Sequence, residues 1–255
     1  MSKTPPATSL VDLAARKQLP HHQFVDHATV RWLEENRPHL VDGAPTKIRD
    51  TSRRLLTRAA IPTDWLAESR LRDSLHGVRH AMRTAALAAL LAETTGLDEP
   101  DTATLIVAAA VHDCRRLHDK DDRGHGARAA RWLTSHTDLV WEHFHVPARA
   151  SAVAQAATAV RLHDVPYTTF TVEDEADYAR ARKISDLVKA ADALDRYRLP
   201  KLSWWPDTQH VRVEGFDRLR AAAFDLVLWS EADHLAGLDS ADAVLKALEQ
   251  RELIG

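Results

Sequence analysis

The sequence predicts an all-α protein, a helical bundle built as one domain of 255 residues. Three observations carry this. Ala and Leu dominate a chain that holds only eight Gly, and strong helix formers summed over long windows favour helix. Long segments between Gly and Pro residues repeat their apolar side chains at helical spacing. β-branched residues concentrate in a few short runs, so little is left to build a sheet.

Taken in order, the first six or so residues are expected to be irregular, because Pro5-Pro6 discourages regular structure. From Ser9 to about Arg72 the chain reads as short helices broken at Pro20, Pro38, Pro45 and Pro62. Each proline removes a backbone donor and disfavours helix just before it. "HGVRHAMRTAALAALLAETTG" (76–96) reads as a long helix closed by Gly96. "EPDTATLIVAAAVHD" (99–113) is a second, with Pro100 near its start and an apolar body. "GHGARAARWLTSH" (124–136) begins a third, and "PARASAVAQAATAVRLHD" (147–164) a fourth with Pro in its first turn.

"EDEADYARARKISDLVKAADALDRYR" (173–198) is a fifth helix, acidic at its start as the helix dipole favours and stopped by Pro200. Segments 216–235 and 240–253 complete the set, the last with an N-cap at Asp239 or Ser240. "TQHVRVEG" (208–215) is expected to form a short strand, and "YTTFTVE" (167–173) is a weaker candidate. Residues 1–70 form an N-terminal helical layer, 71–200 the core, and 201–255 helices that complete the same domain.

Composition narrows the function. The net charge of −3 gives no global pull toward nucleic acid or an anionic membrane. Arg outnumbers Lys 26 to 8, which weakens any case that a single Arg serves function. The lone Cys114 excludes an internal disulfide and fits a reducing compartment. No stretch approaches the roughly eighteen apolar residues of a membrane span, and "MSKTPPATSL" has no apolar signal core. A cytoplasmic protein without membrane contact is expected, with homo-oligomerisation left open.

Chemistry concentrates in "AAAVHDCRRLHDKDDRGHGARAA" (108–130), which leaves an apolar helix and becomes almost wholly ionisable. His80 lies on the first long helix, His112 and Asp113 end the second, His125 opens the third, and His163 ends the fourth. Asp192 borders the apolar face of Leu187, Ala191 and Leu194, where an acid is costly unless something positive meets it. Asp195 and Arg196 read as pointing further round, with Asp192 and Arg196 able to pair at i,i+4 spacing. Alone, His112 is better read as a satisfied core histidine; with five partners the ligand reading is the stronger. Mixed imidazole and carboxylate donors suit Mn, Fe, Co, Ni or Zn, with Mg a further candidate. Such a divalent ion acidifies water and polarises a phosphoryl oxygen. Asp113 is placed to bridge two ions.

The five segments "HGVRHAMRTAALAALLA", "VAAAVHDCRR", "RGHGARAA", "AVRLHD" and "VKAADALDRYR" resemble, over roughly residues 70–200, the HD-domain superfamily of metal-dependent phosphohydrolases. The resemblance implies an HD-domain-like bundle with metal held between helix ends. His80, His112, Asp113 and Asp192 match the mononuclear set, and His125 and His163 the extra histidines of dinuclear members. His125 follows the dipeptide more closely than in many dinuclear members, so one ion or two remains open.

In "HGVRH" His80 is preferred as ligand, which leaves His76 either supporting the ligands from behind or facing substrate. Arg115 and Arg116 are candidates to grip phosphate bidentately, although a solvated pair fits an Arg-rich chain equally well. Lys189, one turn before Asp192, is a candidate to neutralise charge on phosphorus, with Asp113 as its catalytic partner. Arg196 joins His76, Arg115 and Arg116 as substrate-binding. The expected function is hydrolysis of a nucleotide or related phosphate ester by a metal-activated hydroxide. Three alternatives stand beside it: a nuclease on single-stranded nucleic acid, a di-iron oxygenase of the same fold, and a non-catalytic metal-stabilised binding module.

Overall fold

The computed structural model describes residues 8–40, 43 and 47–254. The expectations for Pro5-Pro6 and Pro45 lie outside these residues. Among the described residues there are eleven α-helices, six short 3-10 turns and no strand. The N-terminal layer comprises α1 (Leu10–Ala15), α2 (His27–Glu35) and α3 (Asp50–Leu56). The core follows as α4 (Val78–Thr95), α5 (Glu99–Val111), α6 (His125–Ser135), α7 (Thr137–Phe144), α8 (Ala150–Leu162) and α9 (Val172–Asp195). The chain closes with α10 (Phe216–Leu235) and α11 (Ser240–Gln250).

Local chemistry sets the ends. α4 stops where Gly96 takes a left-handed φ of 63°, which a side chain would resist. Asp98 caps α5 by accepting from the Asp101 N–H, and Pro100 sits in its first turn. Thr171 and Asp174 form a reciprocal capping box on α9, and Asp239 caps α11 through the N–H groups of Ala241 and Asp242.

Five expectations need correction. The segment 208–215 forms a 3-10 turn, Thr208–His210, and not a strand, and Tyr167–Thr169 does the same in 167–173. Among the described residues no strand offers an edge for pairing, so these backbones close on themselves. The helix expected from residue 76 begins at Val78, because Gly77 packs against the carbonyls of Leu71 and Arg72, with no room for a Cβ. α8 starts at Ala150, which leaves Pro147 outside it. α9 ends at Asp195 in a 3-10 turn before Pro200 is reached, and it is kinked at Ala181 (φ −127°). α7 fills a stretch for which the sequence suggested no element.

α4 is buried on every side from Val78 to Ala92, which makes it the central helix. It packs against α5, α9, α10 and α11, while α8 packs against α5, α6 and α9. One continuous core runs from Leu33 to Ile254 and includes Leu87, Leu90, Leu91, Val188 and Phe224. Each such leucine contributes about 2–5 kcal/mol by the cost of its truncation. This packing brings the C-terminal ends of α5, α8 and α9 to the N-terminal ends of α4 and α6. His112, His163 and Asp192 lie at C-terminal ends, whose partial negative charge favours a cation, while the N-terminal ends of α4 and α6 oppose it.

Candidate metal centre

His112 is the C-cap of α5, His163 the C-cap of α8, and His125 the first residue of α6. His80 lies in the first turn of α4, and Asp192 in the last turn of α9. The helix junction therefore gathers the six residues singled out in the sequence. His80 and His112 are completely buried, and Asp113, His125 and His163 are nearly so. Only Asp192 retains an opening to solvent, with its side chain 24% exposed.

Each imidazole is anchored through Nδ1. His80 donates to Asp195 Oδ2 at 2.8 Å, His112 to the Ala109 carbonyl at 2.7 Å, His125 to the Asp122 carbonyl at 2.8 Å, and His163 to the Val160 carbonyl at 2.7 Å. These acceptors require the proton on Nδ1, so in each neutral ring Nε2 is a free lone pair. Burial pushes the His112 imidazole down to about 3, which keeps it neutral near pH 7.

The four Nε2 atoms converge. Those of His80 and His112 are 3.0 Å apart, and those of His125 and His163 are 2.9 Å apart. Asp192 Oδ1 and Asp113 Oδ2 both lie 3.5 Å from His80 Nε2 and 3.8 Å from His112 Nε2. The second carboxylate oxygen, Asp113 Oδ1, lies 2.9 Å from His125 Nε2 and 3.3 Å from His163 Nε2, yet accepts no well-aligned hydrogen bond. Bonds of about 2.1 Å to a common ion separate neighbouring donor atoms by about 3.0–3.4 Å. The spacings here are close to this edge length, and the facing lone pairs of neutral His80 and His112 repel unless a cation lies between them. The residues fit a metal.

Two buried groups could hold an ion, His80–His112–Asp192 and His112–Asp113–His163. Asp113 presents one oxygen to each half of the cluster.

Positive groups flank it. Arg116 Nη1 donates to His125 Nε2 at 3.1 Å and lies 3.6 Å from Asp113 Oδ1. Burial raises the Asp113 carboxyl, but Arg116, His112 and His125 outweigh it and hold the group well below the carboxylate range. Asp192 is likewise held down, by His112, His80 and Arg198 against its own burial. Arg198 is buried; its Nη2 lies 3.5 Å from His80 Nε2 and 3.9 Å from Asp192 Oδ1, and its Nη1 makes no hydrogen bond.

The remaining sequence candidates lie at varied distances. His76 precedes α4 and shares no helical face with His80; it donates Nδ1–H to the buried Asp119 at 2.8 Å, its ring 5.7 Å from that of His80. Burial drives His76 well below the usual histidine range. Lys189 donates to the carbonyls of His163 and Val165, closing the end of α8, and burial pushes it down to about 8. Arg115 points away, donating to the Trp65 carbonyl at 3.0 Å. Arg196 donates to the Trp204 carbonyl at 2.7 Å and makes no i,i+4 pair with Asp192.

The sequence singles out neither Arg198 nor Asp119, and it turns Asp195 away from the site. Asp195 is fully buried rather than turned outward, and it also accepts from Arg83 Nε at 2.6 Å. Its spacing from Leu187 and Ala191, at i−8 and i−4, was the available signal. Arg198 follows it by one 3-10 turn and carries no signal in an Arg-rich chain. Asp119 sits among several loop acids that sequence alone does not rank.

No family model, curated protein or solved structure matches this chain.

Proposed function

We propose that this chain is a metal-dependent phosphohydrolase of the HD type, acting on a nucleotide or a related small phosphate ester. One observation carries the reading: four anchored imidazoles and two carboxylates converge on the junction of five helices, with Asp113 divided between the two halves of the cluster. His80, His112, Asp113 and Asp192 would hold one divalent ion, and Asp113, His125 and His163 a second. The chemistry such ions supply is Lewis acidity toward a phosphoryl oxygen and acidification of water.

The chain's own groups complete the task. Asp192 lies at the opening, where substrate meets the cluster. Arg198 and Arg116 keep guanidinium groups within 4 Å of cluster carboxylates, where an incoming phosphate would find bidentate donors. His76 keeps its proton on Nδ1 through Asp119, which leaves Nε2 free to accept one. Lys189 ties down the chain beyond His163 and fixes that ring's position.

The test is elemental analysis of protein purified without chelator, beside Asp113→Ala and His163→Ala, with phosphate release from a nucleotide panel. About two equivalents of Mn, Co, Ni or Zn, reduced in both variants along with phosphate release, is the expected result. One equivalent lost only in Asp113→Ala gives the mononuclear hydrolase. No metal in any sample, even after reconstitution, overturns the reading. Iron with oxygen consumption and no phosphate release replaces it with oxidation.

A further inference from the structure

A cavity of about 570 Å³ opens at the far end of the helices that build the cluster, within the range of about 300–1,000 Å³ typical of small-molecule sites. The first turns of α5 and α8 line it, and their opposite ends carry His112 and His163. Each helix has 13 residues, so at about 1.5 Å per residue the cavity lies on the order of 20 Å from the cluster. The two places share no residue.

The lining is graded along α3. At its start Thr51 donates to Glu99 Oε1 at 3.3 Å, and Asp101 lines the same end of α5. Beyond its last turn Arg58 donates to the His143 carbonyl at 3.0 Å and reaches His145 Nδ1 at 3.2 Å. Arg54 and Arg149 also line the cavity. Arg149 is the N-cap of α8 and makes no side-chain cap, so the first N–H groups of that helix are open to an acceptor. Leu55 and Val146, both half-buried, supply an apolar surface between the poles, backed by the buried Trp141 and Phe144.

A simple cation would leave three arginines facing positive charge, and a bare anion would leave Asp101 unmatched and Glu99 with Thr51 alone as its donor. We infer that the cavity is a separate binding site for a nucleoside monophosphate or a phosphate ester of that size and polarity. Its phosphate meets Arg58, Arg149 and the start of α8, its ring lies on the apolar surface, and its hydroxyls donate to Glu99 and Asp101. The site stands whether or not the metal centre is hydrolytic.

The test is calorimetric titration of the metal-loaded full chain with nucleoside phosphonates, in which a methylene replaces the ester oxygen and blocks hydrolysis. Arg149→Glu is the main variant, because Arg149 is exposed and an acid at a helix start preserves the helix. Thermal unfolding checks its fold. The expected result is saturable binding that Arg149→Glu weakens by about tenfold or more and that Asp113→Ala retains. Binding abolished by Asp113→Ala and untouched by Arg149→Glu overturns the site, as does the absence of saturable binding. Inorganic phosphate binding as tightly as the phosphonate overturns the nucleoside assignment.

Discussion

His80 and Asp195 stand 115 positions apart, and Nδ1 of the first donates to Oδ2 of the second at 2.8 Å with both side chains fully buried. Arg83 holds the same carboxylate from the other side, through Nε at 2.6 Å and Nη2 at 3.1 Å. The tautomer and the aim of the His80 ring are therefore fixed by a group that is not itself among the candidate ligands. Asp195→Asn keeps the shape but leaves Arg83 short of charge. Metal affinity should fall about 10- to 100-fold, and calorimetric metal titration checks this. Unfolding in urea should show a loss of about 3–5 kcal/mol, since one partner of a buried pair is removed.

The ion-pair network continues through Glu231, which accepts from Arg83 Nη1 at 2.7 Å and Arg79 Nε at 3.0 Å. Burial raises the Glu231 carboxyl, but Arg79 and Arg83 outweigh it and hold it below the usual range. A depressed carboxyl contributes stability above its unfolded value, and that contribution is lost as pH falls through the folded one. Glu231→Gln should be clearly less stable than the parent at pH 7. The gap in urea midpoint should narrow steadily once pH drops below about 4.3, the ordinary glutamate value. A gap that is constant with pH would sink the charge-based account.

Arg116 places its guanidinium 3.6 Å from Asp113 Oδ1 and 3.1 Å from His125 Nε2, where it competes with a cation for the same donors. The second equivalent of Mn²⁺ should bind more weakly than the first. Arg116→Gln should tighten that second equivalent by at least about tenfold, because one positive charge beside it is removed. Titration of both proteins under one buffer gives the comparison.

Gly126 brings α6 against the end of α8: a Cβ there would lie 2.7 Å from the Val160 carbonyl oxygen and 3.0 Å from His163 Nδ1. Gly126→Ala should push the two helices apart and separate His125 from His163. His80, His112 and Asp192, on α4, α5 and α9, should keep their ion. Elemental analysis is expected to show a selective loss of the second equivalent, whereas loss of all metal or none would refute the geometry.

Much of the fold was legible because its helices signal themselves locally. The apolar runs of α4 and α5, the Gly96 stop, Pro100 and the Asp239 cap each act within a turn or two. The misjudged pieces were those whose state depends on neighbours. Val211 and Val213 favour a strand by themselves, but a strand needs a partner edge, and none exists among the described residues. Asp195 likewise looked exposed only because its partners, Arg83 and His80, come from a helix more than a hundred residues earlier.

The sequence by itself pointed to most of the helices and to six candidate donor residues, since spacing within a helix is a local property and His, Asp and apolar runs are read directly. Only the tertiary structure decided how those donors meet. The aim of each Nε2 depends on what accepts from Nδ1, and the acceptor for His80 is supplied by the distant α9. The bridging of Asp113 between two pairs of histidines, and the poise of Arg116 and Arg198 beside them, follow from helix ends converging in space. No local periodicity encodes that convergence.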